Sequence, residues 1–416
     1  MIDPPRAARR ITLTLFAAQS LATASFIAAA TVNSILGAQL SSNPSWAGVP
    51  TAVYLLASAG AAFVWGYLMD TLGRRGGLTL GLLIGATGAG TAVYAIGAGS
   101  LALFLVGLAL MGVGHAAMML GRFAAGEVHP PAERGRAIAN VVLGGTVGAI
   151  VGPLLATIAG PPAVALGQNE MVGSYASGVL LLAIAAVTVF AFLRPDPRDL
   201  GRLVTQAHPP ANQALNGLRS LRQIMALPAA RVSLIAMALG QVAMVMLMVI
   251  SGVHYRNTGH GLGDVSLVVS SHTLGMYAFS VVSGRLCDRW GRCPVIAAGA
   301  AALALSSLTA TLTHDLLPYG ASLFLLGLGW NFCFVGGSTL LADQLAPAER
   351  ARTQGFNDLI VGLSSATASL GSGFLYGQAG FSAAGLVAAL LSLMVLVAVG
   401  WWMRGQGRTV NGLASA

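Results

Sequence analysis

"GYLMDTLGRR", residues 66–75, decides how this chain folds, because it occurs twice. The second copy is "GRLCDRWGR", residues 284–292. Gly66, Leu68, Asp70, Gly73 and Arg74 recur as Gly284, Leu286, Asp288, Gly291 and Arg292, each displaced by 218 residues. A second pair follows: "PAERGR" begins at Pro131 and "PAERAR" at Pro347, a displacement of 216. Self-similarity at a fixed offset marks an internal repeat, so the chain reads as two similar halves in parallel.

Each copy of the motif closes one apolar run and opens the next. Its glycines permit a tight turn. Asp70 can accept hydrogen bonds from arginine or from an exposed helix N-terminus. We read Asp70 with Arg74, and Asp288 with Arg292, as latches that form in one conformation and break in another.

The apolar runs are long. The chain of 416 residues is 56% hydrophobic and 8% charged, against about 25% charged in a soluble domain. A bilayer crossing needs about 20 apolar residues. Twelve spans are expected, at roughly 12–36, 46–69, 78–98, 101–124, 137–160, 172–193, 229–252, 263–286, 295–314, 319–341, 355–378 and 380–403. The first is too long for a signal peptide and lacks a small-residue cleavage site. Residues 1–193 then make an N-terminal six-helix bundle and 229–416 a C-terminal one. The polar segment 194–228, with Pro195, Pro197, Pro209 and Pro210, joins them as a cytoplasmic linker.

The net charge of +9 does not point to nucleic acid. All 22 basic residues are arginine. Apart from Arg256, they gather on the side that holds both termini and the two motif loops. That asymmetry is the positive-inside pattern, which makes the side cytoplasmic. Cys287, Cys293 and Cys333 supply no disulfide framework, and buried thiols behave as small apolar groups.

The doubled loop motif, the twelve spans and the central linker resemble the major facilitator superfamily. The resemblance implies an all-α membrane fold in which two six-helix bundles rock about a site near the midplane.

Substrate chemistry is read from polar groups at membrane depth. The first, seventh and eighth spans contain no carboxylate of the kind that a proton-coupled exporter of cationic drugs uses. They offer sulfur and imidazole instead. In "GQVAMVMLMVISG", residues 240–252, Met244 and Met248 share one face of span seven. In "SSHTLGMYAFS", residues 270–280, His272 and Met276 share one face of span eight. Counted from the outer ends, Met244 and His272 lie at similar depth. Thioether and imidazole suit a soft ion such as Cu(I), and neutral donors can release it again.

"MVMLM" at Met244–Met248 and "HTLGM" at His272–Met276 are similar to the paired MxxxM and HxxxM motifs of the CcoA-like copper importers. That resemblance implies copper uptake through the bacterial inner membrane, in support of cbb3-type cytochrome c oxidase assembly. It makes Met244, Met248, His272 and Met276 the metal ligands and copper the transported substrate. Members of that group are thought to use cysteine thiols as well, and here spans seven and eight carry only Cys287, at a cytoplasmic end.

Span four repeats the spacing in "LMGVGHAAMMLGRF", where His115, Met119 and Met111 form a second candidate set. Its readings are a deeper relay site or a histidine packed between helices. Two further histidines, His254 and His260, are expected in the loop after span seven. The chain is expected to act as a monomer in the lipid bilayer, without nucleic acid. Two other readings stand beside import: a drug or metabolite exporter with methionine-lined walls, and a copper-sensing membrane receptor. No catalytic constellation points to an enzyme.

Overall fold

The computed structural model describes residues 4–130, 133–207, 219–313 and 315–414. Pro131, Pro209, Pro210 and residue 314, the expected end of span nine, lie outside them. Among the described residues there are helices and turns but no strand.

The long helices of the first half are α1 (Pro4–Ser41), α2 (Val49–Gly97), α3 (Leu101–Glu127), α4 (Arg134–Ala165) and α5 (Val172–Phe192). Two short helices, α6 (Pro197–Ala207) and α7 (Leu221–Ala226), occupy the linker. The second half holds α8 (Pro228–Asn257), α9 (Leu262–Tyr277), α10 (Ser280–Trp290), α11 (Arg292–Thr309), α12 (Leu316–Ala342) and α13 (Pro347–Ala414).

Among the described residues, ten helical segments are long and apolar enough to cross a membrane. Two of them, Pro44–Gly97 and Arg352–Arg404, run to 54 and 53 residues. At about 1.5 Å per residue each is far longer than one crossing of about 30 Å. Each is interrupted by a glycine in the left-handed region, Gly73 in α2 (φ 77°) and Gly380 in α13 (φ 78°). Only glycine takes that conformation without steric cost. Each segment is therefore two spans, and the count is twelve, as expected for this all-α membrane fold. Gly291, which occupies the Gly73 position in the second copy, also has a positive φ, of 90°.

The chain forms two compact units, Met1–Asn212 with His260–Ser270, and Gln213–Gly259 with Ser271–Ala416. In the first, α2 packs most extensively on α3, and α1 on α4 and α5. In the second, α8 packs on α13 and α12, and α11 on α12. The α1–α4 and α8–α13 pairs occupy corresponding places in the repeat.

Three local features depart from the expected pattern. Span eight is not one helix: α9 ends at Tyr277 and α10 starts at Ser280. Helix α8 runs to Asn257, so His254 lies in its last turn and not in a loop. The His254 ring stacks on Phe381 at 4.1 Å between centroids, a contact that holds the last turn of α8 against α13. The linker, finally, is anchored at both ends. On the first unit, Asp196 accepts hydrogen bonds from the amides of Arg74 (3.1 Å) and Arg75 (3.0 Å), capping the helical arm that follows Gly73. On the second, Arg219 pairs with Glu349 at 2.6 Å. That side-chain hydrogen bond, helped by the amides of Ala346 and Arg219, holds the Glu349 carboxyl down at about 2.

Candidate functional site

Helix α12 sets the levels of the sulfur and imidazole groups, because both α8 and α9 pack on it. Along α8 and α12, Gly240 faces Cys333, with 3.1 Å between the cysteine Cβ and a Cβ built on the glycine. Trp330 Nε1 donates to Gln241 Oε1 at 2.5 Å. One turn away, Met237 lies against Gly337. Continuing this antiparallel register sets Met244 level with about Leu328, and Met248 with about Phe324.

Helix α9 runs parallel to α12. A Cβ on Gly327 would lie 2.1 Å from the His272 carbonyl oxygen and 2.9 Å from the Met276 amide, so the backbones touch. Gly275 meets the Phe324 carbonyl in the same way. This register sets His272 near Leu325 and Met276 near Gly329. Met248 is thus level with His272, and Met244 with Met276, to within about one residue rise, ~1.5 Å. Met244 and His272 are buried, at 6% and 2% exposure, while Met248 and Met276 are half-buried.

The state of His272 follows from its partners. Its Nδ1 lies 3.1 Å from the Leu323 carbonyl oxygen. A carbonyl only accepts, so Nδ1 carries the proton and Nε2 carries the lone pair. His272 Nε2 is buried and has no hydrogen-bond partner. Metal-ligating histidines commonly have this arrangement, with one ring N–H spent on a carbonyl and the other nitrogen free to donate electrons. Among the described residues, no group of three or more His, Cys, Asp or Glu side chains is placed to hold a metal.

The break in span eight directly follows Met276. Asn331 Nδ2 donates to the Met276 carbonyl at 2.6 Å and lies 2.9 Å from Ser280 Oγ. The Ser283 hydroxyl donates to Asn331 Oδ1. One amide side chain therefore ties α9 and α10 together across the gap. Its repeat counterpart is His115, displaced by 216. His115 Nδ1 lies 3.2 Å from Ser58 Oγ, and Ser58 is the counterpart of Met276, displaced by 218. His115 therefore holds α3 to α2 where Asn331 holds α12 to α9. Its ring also contacts Phe26 (5.1 Å) and Tyr54 (5.5 Å). Met111 is buried and Met119 half-buried on the same helix.

At the motif loops, the aspartates are the minor partners. Arg74 reaches Asp70 at 3.0 Å, but Asp70 is 71% exposed. A fork of two bonds joins the same guanidinium to Glu127, at 3.1 and 2.9 Å. Arg292 repeats the choice, with Asp343 at 2.8 Å and the exposed Asp288 at 3.7 Å. Glu127 and Asp343 are themselves separated by 216. The repeat offset carries one onto the other, yet each alone looks like a solvated acid at a span end. Exposed pairs contribute little, and bidentate ones contribute more. Glu127→Gln is therefore expected to lower the melting midpoint by about 2–4 °C, the shift produced by about 1 kcal/mol in a unit of this size. Asp70→Asn should shift it less. Equal shifts in a thermal melt of the two variants would return the main role to the motif aspartate.

A model of the Major Facilitator Superfamily matches residues 14–264 and 233–413. The uncharacterized MFS-type transporter YdeG of Bacillus subtilis (strain 168) is 32% identical over 385 residues, 92% of this chain and 89% of the relative. The riboflavin transporter RfnT of Brucella anthropi is 30% identical over 391 residues, 94% of this chain and 95% of the relative. Among solved structures, a D-xylose-proton symporter superposes with a TM-score of 0.72 at 18% identity, over 93% of this chain and 96% of that one.

Proposed function

The chain belongs to the major facilitator superfamily of transporters, and on that premise we propose that it imports copper(I) by alternating access, with Met244, Met248, His272 and Met276 as ligands. The observation that carries this reading is the His272 Nε2 lone pair, buried and unpartnered, on a helix whose register along α12 sets Met248 of α8 level with it. An unmade hydrogen bond of this kind costs about 1–3 kcal/mol. A soft cation arriving at Nε2 offsets that cost, and thioethers complete a neutral donor set for it. On this reading the arginine-rich face is cytoplasmic and the membrane is the bacterial inner one. The copper would serve cbb3-type oxidase assembly, as the resemblance implies. His115, Met119 and Met111 remain a proposed second set, with Nε2 of His115 as its nitrogen donor, since Nδ1 is engaged by Ser58.

A second reading has its own support. RfnT matches nearly the whole chain, and Trp330 stacks on Phe334 at 5.0 Å with Tyr277 at its edge. Such rings suit a planar aromatic substrate of the riboflavin type.

Accumulation of radioactive copper and of labelled riboflavin, in cells with and without the protein, separates these readings. Import predicts a rise in copper that His272→Gln abolishes. A rise in riboflavin alone would replace copper with the flavin reading. A fall in copper would mark a copper exporter, and no change in either would leave the drug or metabolite exporter and the receptor.

A further inference from the structure

A cavity of about 690 Å³ opens in the first unit beside α6. Arg74, Arg134, Arg198 and Arg202 line it, with Phe123 and Ile138 on its apolar side. The one carboxylate in its lining, Glu127, has both oxygens committed to Arg74. The remaining guanidinium groups are only partly satisfied. Arg134 Nε donates one long bond, 3.3 Å, to the His129 carbonyl. Arg198 Nη1 donates to the Asp70 carbonyl at 2.9 Å and the Thr71 carbonyl at 3.3 Å. Its Nε is buried without a hydrogen bond, and the nearest carboxylate, on Asp199, is 3.6 Å away and 58% exposed. Arg202 makes no hydrogen bond or ion pair among the described residues. Arg198 and Arg202 are four apart, so they project from one face of α6.

Three cations face one space with a single long, exposed ion pair, Arg198 to Asp199, among them, which leaves room for an anion from outside. Guanidinium forks match phosphate oxygens best. The apolar side of the cavity narrows the source. Phe123 in its lining is 48% exposed; outside the cavity, on another face of α6, Leu203 is 60% exposed, while Leu200 on the same helix is buried at 3%. An eleven-residue amphipathic helix at the end of the spans, with apolar side chains left open beside arginines, suits the headgroup region of a bilayer. A free phosphate would use the arginines and leave Phe123 and Ile138 of the lining without an apolar partner.

We propose that this cavity holds the phosphodiester headgroup of an anionic phospholipid, with Arg198, Arg202 and Arg134 on its oxygens and its acyl chains along Phe123. The bound lipid then fastens α6 to α3 and α4. The site is independent of the transported substrate.

The test uses the full chain in detergent, phosphatidylglycerol and phosphatidylcholine of identical acyl composition, and native mass spectrometry of the retained lipid. Wild type should retain phosphatidylglycerol over phosphatidylcholine. Arg202→Glu should lower that retention about tenfold, since a basic group near a lipid surface is replaced by an acidic one. Arg202→Lys should keep most of it, and an unchanged melting midpoint for both variants would exclude misfolding. Equal retention by wild type and Arg202→Glu would overturn the proposal. So would loss of the lipid to excess inorganic phosphate, which would mark a soluble phosphate ester as the ligand.

Discussion

Cells that produce the Met244→Leu, Met248→Leu variant are expected to accumulate no more copper than cells without the protein. Leucine matches methionine in volume and hydrophobicity, and such swaps cost less than about 1.5 kcal/mol each. Met244 is buried at 6%, so it is a fair packing residue. The substitution leaves that packing nearly intact and removes only the sulfur lone pairs. The His272 Nε2 donor and the Met276 thioether remain in place, but half of the proposed donor set, all of it on one helix, should not hold Cu(I) well enough for uptake. The variant should therefore be present in the membrane in normal amount, melt near the wild-type temperature and fail in uptake. The same variant also probes the flavin reading: a wall of leucines serves an aromatic ring as well as a wall of methionines, so riboflavin uptake would survive. Full copper uptake by the double variant would show the methionines to be gap fillers.

Much of this architecture is legible in the residues themselves. The 218-residue displacement of the loop motif gives the repeat, and Gly73 and Gly291 both sit at positive φ where the motif places them. Glu127 and Asp343 were equally readable, since the 216-residue displacement that pairs Glu133 with Glu349 also pairs them. Read singly, each is a polar residue at a span end, and only its bond to the motif arginine distinguishes it. Other features lie beyond local reading because their cause is distant in sequence. The break after Tyr277 falls in "GMYAFSVV", which contains no proline. The group that satisfies the Met276 carbonyl comes from Asn331, 55 residues away. The cap on the arm after Gly73 comes from Asp196, 122 residues from Arg74. The free Nε2 of His272 likewise depends on the Leu323 carbonyl, 51 residues away. Composition and periodicity carry spans and turns well, but not the side-chain bonds that decide where a span breaks or which nitrogen of a ring keeps its lone pair.

Gly327→Ala is expected to be the most damaging single substitution in the second unit, whatever the substrate. The added Cβ would lie 2.1 Å from the His272 carbonyl oxygen and 2.9 Å from the Met276 amide nitrogen. Both are backbone atoms of a helix, so neither can turn aside as a side chain would. Relief requires α9 and α12 to separate by more than about 1 Å, to reach ordinary contact near 3.5 Å. That separation weakens the His272–Leu323 hydrogen bond and carries His272 and Met276 together away from the level of Met244 and Met248. Alanine does gain about 1 kcal/mol over glycine in a helix, but overpacking a close contact costs about 1–3 kcal/mol, and the tied Asn331 network is strained in addition. The melting midpoint should fall and uptake should drop to near background. Gly371→Ala in α13 is the matched control, since a Cβ there meets nothing within 4 Å. It gains the same helix propensity without a clash and should melt at or above the wild-type temperature, with uptake unchanged. If Gly327→Ala instead transports normally and melts with Gly371→Ala, then α9 and α12 do not meet at this glycine, and the two shared levels, Met248 with His272 and Met244 with Met276, lose their basis.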